Sequence, residues 1–111
     1  MSCKEREIIG LTVKVNINGK NIIAKVDTGA DSSSIDKTIV ENLNKPIIKY
    51  KKIKSALGYE KRGVIKLNFM INDKEFNDYF TVSDRSNLKY KVLIGKDILK
   101  KEKFLIDPTK I

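Results

Sequence analysis

The chain has 111 residues and a mass of 12.7 kDa, which gives room for one small domain and excludes a multidomain enzyme. Because 41% of the residues are hydrophobic and only 2 are proline, the sequence can bury a core and is not typical of a disordered protein. The net charge of +9 favours anionic partners, but it is spread over both halves and carried mostly by Lys, so we expect a solvated lysine-rich surface.

The first half of the chain alternates apolar and polar residues at the period of a β-strand. Residues 9–17 form one predicted strand, and the Asn-Gly pair that follows predicts a tight turn, so residues 21–26 should return as the second arm of a hairpin. A short helix is predicted over 37–44, with Asp36 as its N-cap. This half therefore reads as strands plus one short helix.

The second half continues the strand pattern. Residues 47–56 and 63–71 are extended by pattern, and residues 57–61 between them are expected to be the tip of a long hairpin. The remaining predicted elements are strands over 75–82, 91–94 and 104–106 and a last helix over 96–102. The fold class is therefore all-β with one or two short helices, in a single domain over 1–111 whose residues 1–8 form a flexible or dimer-edge segment.

Cysteine and histidine usage narrows the chemistry. The single Cys3 cannot form an intrachain disulfide, and we expect it to be an inert thiol. The chain has no His, which removes Ser–His and Cys–His nucleophile pairs and the commonest nitrogen ligand of zinc. The charged start and the absence of a long apolar stretch predict a cytoplasmic protein with no membrane partner.

The most informative motif is Asp27-Thr28-Gly29, which follows an apolar strand and resembles the signature of aspartic proteases. That chemistry needs two carboxyls that share one proton, one to activate a water molecule and one to protonate the scissile carbonyl. The chain has only one such motif, so the second carboxyl would come from Asp27 of a symmetry-related chain in a homodimer. An Asp-Thr-Gly sequence alone is often only a turn.

A second motif supports the protease interpretation. The apolar run 92–95 appears about 65 residues after Asp27, where a strand from the second half of the chain would pack beneath the catalytic loop. The sequence DTGAD over 27–31, together with IGKD over 94–97, resembles the two signatures of retroviral-type pepsins, which are dimeric aspartic proteases of about this length.

Three ordered motifs, over 27–30, 84–96 and 104–109, are more specifically similar to the cellular retropepsin-like family labelled ATP-dependent zinc proteases. That family usually has a His a few residues after the first motif, where this chain has Ile35-Asp36. Because the chain lacks His altogether, we expect neither a metal nor a cofactor.

The resemblance implies roles for individual positions. Asp27 would be the catalytic carboxyl, Thr28 would clasp its counterpart across the two-fold axis, and Gly29 would leave room for the substrate backbone. Asp31 corresponds to a carboxylate near bound peptide, and Lys96 to a basic residue that pairs with it. For Lys96, a solvated lysine at the start of a helix is the alternative.

Residues 53–63 would form the flap that covers the substrate, although an ordinary hairpin is the alternative. The residues expected to contact substrate are Ala30, Asp31, Ser32, Leu57, Gly58, Tyr59 and Ile94, with Gly95 and Lys96 as structural support. The eight aromatic residues are expected to pack in the core or in pockets rather than to stack on bases.

The predicted molecule is thus a retropepsin-like lobe that dimerises and hydrolyses peptide bonds. An acidic peptide or protein is suggested as substrate, because some members of the resembled family accompany a ligase that adds glutamates to a ribosomal protein and because a +9 surface would attract one. Two alternatives stay open. One is a catalytically silent dimerisation or adaptor module, and the other, less favoured, is a basic nucleic-acid-binding β domain.

Overall fold

The computed structural model describes residues 6–110, so Cys3 and most of the predicted N-terminal segment 1–8 lie outside the described residues. Strands take up 51% of the chain and helices 12%, which confirms the mostly-β prediction. In chain order the elements are β1 (Ile8–Ile9), β2 (Thr12–Ile17), β3 (Lys20–Val26), β4 (Ser34–Asp36), α1 (Lys37–Leu43), β5 (Lys49–Ser55), β6 (Gly58–Ile71), β7 (Lys74–Ser83), β8 (Val92–Ile94), α2 (Lys96–Lys101) and β9 (Leu105–Ile106). Neither helix is long or apolar enough to cross a membrane.

Seven of the strands form one sheet in the order β2-β3-β8-β4-β7-β6-β5. A further pairing of β2 with β6, through Asn16 and Met70, closes this sheet into a barrel-like lobe. The short strand β8 runs between β3 and β4, parallel to β3 and antiparallel to β4, and its three residues are all buried. Strands β1 and β9 form a separate parallel pair.

The first predicted strand, over 9–17, is interrupted in the structure. Gly10 separates β1 from β2, because the C-terminal segment crosses so closely that a Cβ at Gly10 would lie 2.2 Å from the carbonyl oxygen of Lys110. The turn after β2 is confirmed at Asn18-Gly19, whose φ angles are both positive, at 53° and 86°. The predicted segment 1–8 ends in β1, where Ile8 pairs within the same chain with β9.

The hairpin of β5 and β6 turns earlier than predicted. Residues 57–61 were expected to be its tip, but the turn lies at Ala56-Leu57 and β6 begins at Gly58. Gly58 has a φ of 122°, which only glycine adopts readily, so the strand resumes directly after it. Strand β4 was not predicted at all, because three residues are too few to show an alternating pattern.

The core of the lobe contains a cluster of phenylalanine rings. Phe69 lies 5.5 Å from both Phe76 and Phe80 between ring centroids, and Phe76 lies 5.2 Å from Phe104. The prediction of core packing is therefore correct for these four residues. It is wrong for the two tyrosines of the β5–β6 hairpin, which are 62% and 66% exposed, because the hairpin extends beyond the core that the alternating pattern presumes.

Asp36 joins α1 to the loop between β7 and β8. Its carboxylate accepts a hydrogen bond from the backbone N–H of Thr38 at 3.2 Å, which confirms the predicted N-cap, and another from the N–H of Arg85 at 2.6 Å. In the same loop Lys91 Nζ donates to three carbonyl oxygens at 2.8 to 3.0 Å. The loop that leads into β8 is therefore fixed at both of its ends.

We expect Asp36→Ala to lower the free energy of unfolding by about 2 kcal/mol, because a buried carboxylate that accepts both a helix cap and a loop N–H is removed. Urea denaturation followed by circular dichroism measures this. Glu41→Ala, an exposed change in the same helix, is the control and should cost less than about 0.5 kcal/mol. Equal losses in the two variants would contradict the assignment.

Candidate active site

Asp27 directly follows β3 and starts a tight loop. Its backbone N–H donates to the carbonyl of Ile94 in β8 at 2.9 Å, which continues the parallel pairing of the two strands. Its Oδ1 atom accepts a hydrogen bond from the N–H of Gly29 at 2.9 Å, and its carbonyl accepts one from Ala30 at 3.3 Å. The carboxyl group is half-buried, beside the exposed Thr28, and its rotamer is set by its own loop.

Gly29 is needed for space rather than for a positive φ. A Cβ at this position would lie 3.3 Å from Asp27 Oδ1, a distance tighter than most real contacts of that kind. A side chain here would crowd the carboxylate and push against the N–H that orients it. The sequence Asp-Thr-Gly therefore has a local physical reason in this loop.

Gly95, between β8 and α2, supports the loop from below. A Cβ at Gly95 would lie 2.8 Å from the carbonyl oxygen of Ala30 and 3.0 Å from that of Ser32, so only glycine lets the two backbones approach this closely. The next residue, Lys96, donates its N–H to the same Ala30 carbonyl at 2.8 Å. The Asp27 loop thus rests on the backbone of the second half of the chain.

Ser33 and Asp97 form a further brace that the sequence did not single out. Ser33 is fully buried, and its Oγ donates to Asp97 Oδ1 at 2.7 Å and accepts from the N–H of Gly95 at 2.8 Å. The N–H of Ser33 lies 3.1 Å from both carboxylate oxygens of Asp97. The IGKD sequence contained Asp97, but its partner 64 residues away could only be found from the fold.

Asp31 and Lys96 form the ion pair that the resemblance implied. Lys96 Nζ lies 3.0 Å from Asp31 Oδ1. The hydrogen bond and charge of Lys96 lower the pKa of Asp31, with a smaller contribution from Lys51. Both side chains are exposed, so water and salt screen the pair and its effect on stability is small.

The β5–β6 hairpin contacts the Asp27 loop through Lys51, whose Nζ donates to Ser32 Oγ at 2.8 Å. Lys51 had been regarded only as part of a solvated lysine run. Of the predicted substrate contacts, Leu57, Gly58 and Tyr59 lie at the exposed end of this hairpin. The structure therefore brings the base of the hairpin, rather than its end, against the site loop.

Positive charge surrounds the site loop. Burial and the nearby Arg62 lower the pKa of Arg85, while the charges of Asp36 and Asp27 oppose that shift, so the Arg85 guanidinium lies within electrostatic range of Asp27. Arg62 itself is paired with Glu60 at 2.6 Å. With Lys51 and Lys96 on the loop itself, this side of the lobe attracts anionic groups.

The donors for a zinc ion do not fit this chain. The sequence has no His, and between residues 6 and 110 no three Cys, Asp or Glu side chains are grouped so that they could hold a metal. No step of the chemistry below is therefore assigned to zinc.

We expect Lys96→Gln to raise the pKa of Asp31 toward its ordinary value, because the largest cause of its lowered pKa is removed. An NMR titration of the Asp31 carboxyl carbon measures this. A lowered pKa contributes stability above the unfolded-state pKa and loses it as the pH falls through the folded-state value, so the variant should also lose less stability in acid. Lys100→Gln removes the same charge elsewhere on α2, and an equal shift in that control would contradict the pairing.

Solved structures with a similar fold share little sequence with the chain. Protein Lpg0085 of Legionella pneumophila, of unknown function, has a TM-score of 0.66 and 21% identity, over 92% of this chain and 93% of that one. The protease of simian foamy virus has a TM-score of 0.62 and 20% identity, over 80% and 91%. The retroviral protease-like domain of Ddi1 from Leishmania major has a TM-score of 0.63 and 21% identity, over 85% and 76%. These likenesses show a retropepsin-like fold.

Among curated proteins, none matches the chain in sequence. A family model does match, and its description is RimB-like, the retropepsin-like aspartic endopeptidase RimB. The match covers residues 36–111, so it begins nine residues after Asp27 and rests on the second half of the lobe. On a match over this much of its length, the chain belongs to the RimB-like family of retropepsin-like aspartic endopeptidases.

Proposed function

We propose that the protein is a homodimeric aspartic endopeptidase in which a water molecule is activated between two Asp27 carboxyls, one from each chain. The observation that carries this proposal is the half-buried Asp27 carboxyl, oriented by Gly29 and supported by Gly95, in a member of an aspartic endopeptidase family. No metal or cofactor takes part in the proposed reaction.

The proposed chemistry divides the work between the two carboxyls. The ionised Asp27 takes a proton from water while the water oxygen attacks the scissile carbonyl carbon, and the neutral Asp27 gives its proton to the carbonyl oxygen. The C–N bond then breaks as a proton passes to the leaving amine. The hydrogen bond from Gly29 to Oδ1 supports this division, because it keeps the carboxyl in one orientation without a reorganisation cost.

The need for two copies follows from the sequence. Asp27 is the only Asp in the chain that Thr-Gly follows, so a pair of equivalent carboxyls requires a second chain. Thr28 is exposed next to Asp27, in a position from which its hydroxyl could bond the backbone of the partner's loop. We assign it the clasp between the two loops.

The substrate is proposed to be a peptide or protein that lies between the Asp27 loop and the β5–β6 hairpin. The proposed contacts are Ala30, Asp31, Ser32, Leu57, Gly58, Tyr59 and Ile94, with Gly95 and Lys96 as structural support. The cations beside the loop favour acidic substrates, since Lys51, Arg62 and Arg85 add to the charge that Lys96 brings. A cytoplasmic location remains part of this proposal.

A catalytically silent dimerisation module is the second candidate. It is favoured by one observation, which is that the family match begins after the Asp-Thr-Gly sequence. An intact and oriented Asp27 favours the peptidase instead.

We expect Asp27→Asn to lower peptide cleavage by about a hundredfold or more, because Asn cannot exchange the proton that both half-reactions need. Cleavage of an unbiased peptide library, read by mass spectrometry between pH 3 and 8, measures this. Asp73→Asn, in the exposed turn after β6, is the matched control and should cleave like the unaltered chain.

Retained cleavage by Asp27→Asn would exclude Asp27 as the catalytic acid or base. If the unaltered chain cleaves nothing across this pH range while it dimerises, the silent module is correct and the peptidase proposal fails.

The dimer can be tested by mixing chains. A catalytic site built from two Asp27 carboxyls predicts that excess Asp27→Asn chain poisons the unaltered enzyme, because mixed dimers hold only one ionisable carboxyl. Activity should also fall faster than linearly on dilution, in step with the dimer fraction from sedimentation. A constant activity per chain in samples that sediment as monomers would contradict the two-chain site.

A further inference from the structure

The β5–β6 hairpin has a face with an unusual composition. Cross-strand partners lie on the same side of a sheet, and the pairs Tyr50 with Gly63, Lys52 with Lys61 and Lys54 with Tyr59 therefore share one side of the hairpin. We call its five side chains the Tyr–Lys face: Tyr50, Lys52, Lys54, Tyr59 and Lys61. All five are exposed, and this face contains no acidic residue.

The charges on the Tyr–Lys face are not arranged for stability. Lys52 lies directly opposite Lys61, and like charges in that position destabilise a hairpin. Each ammonium group instead lies over a ring on the other strand, Lys52 Nζ at 5.1 Å from the centroid of Tyr59 and Lys61 Nζ at 4.8 Å from that of Tyr50. The result is two exposed rings flanked by cations that no carboxylate of this face neutralises.

Protection of a sheet edge explains only part of this pattern. Strand β5 is the edge of the seven-stranded sheet, and lysines on edge strands hinder pairing with other chains. That accounts for Lys52 and Lys54. It does not account for Lys61, which lies on the paired strand β6, or for two rings that are 62% and 66% exposed.

The opposite face of the same hairpin is already engaged. There Lys51 donates to Ser32 in the site loop, and Arg62 is neutralised by Glu60. The Tyr–Lys face therefore points away from the Asp27 loop, and a ligand on it does not compete with a peptide at the proposed catalytic site.

We propose that the Tyr–Lys face binds single-stranded nucleic acid, with Lys52, Lys54 and Lys61 on phosphates and bases stacked on Tyr50 and Tyr59. Lysines beside exposed aromatic rings are the combination that binds single strands, since phosphates need the charge and unpaired bases need a ring. Paired bases could not reach the rings. An acidic peptide would use the lysines but would gain nothing comparable from the rings.

The test uses the full chain and a fluorescein-labelled oligonucleotide of about 12 uridines, followed by fluorescence anisotropy. A thymidine oligonucleotide of the same length separates RNA from DNA as the source. Binding should weaken steeply as salt rises from about 50 to 200 mM. Lys52→Gln/Lys61→Gln should weaken binding and lower the slope of log affinity against log salt by about 2, one for each lost phosphate contact.

The rings are tested separately from the charge. Tyr50→Leu/Tyr59→Leu should weaken binding about tenfold or more with the salt slope unchanged, because stacking is lost while the cations remain. Tyr50→Phe/Tyr59→Phe should bind like the unaltered chain. If the double leucine variant does not fold, Tyr59→Leu alone, near the exposed end of the hairpin, decides the question.

Three results would overturn the proposal. Lys14→Gln/Lys20→Gln, which removes two exposed lysines from β2 and β3, should leave binding intact, and an equal loss would show that only net charge matters. An unchanged affinity in the leucine variants would exclude stacking. Polyglutamate of equal charge that binds as tightly would identify the face as a site for acidic peptides. The Asp27→Asn chain should bind the oligonucleotide normally, so this proposal and the peptidase can fail independently.

Discussion

The close approach of two backbones at Gly95 is the constraint on which the site depends. The turn between β8 and α2 passes so near the carbonyls of residues 30–32 that any side chain at this point would collide with them. Because of this approach, Lys96 can bond the Ala30 carbonyl and Ser33 can reach the N–H of Gly95. The position of the Asp27 carboxyl is thus set by a strand from the other half of the chain.

The barrel order explains why β8 can do this. It is only three residues long, yet it pairs with β3 on one side and β4 on the other, so both segments that flank the Asp27 loop are held by the same strand. All three of its residues are buried. A short strand in this place cannot shift its register without exposing apolar side chains and moving the loop.

Local signals predicted the parts of this structure that depend on neighbouring residues. The Asn18-Gly19 turn, the Asp36 cap and the Asp-Thr-Gly loop each follow from chemistry within a few positions. The parts that failed depend on distant contacts. Strand β4 exists because β7 and β8 pair with it, and the brace between Ser33 and Asp97 joins residues 64 apart, so neither leaves a periodic signal.

The long-range brace of the loop also has a consequence for the order of events during synthesis. The Asp27 loop is translated early, but its supports, from β8 to Asp97, are translated near the end of the chain. Contacts that span most of a chain form late in folding, since the closing of a large loop precedes any gain from them. A nascent chain therefore carries its carboxyl loop without the support that orients it. In a protease this order protects the cell, because an unfinished chain has no organised site with which to cut its neighbours.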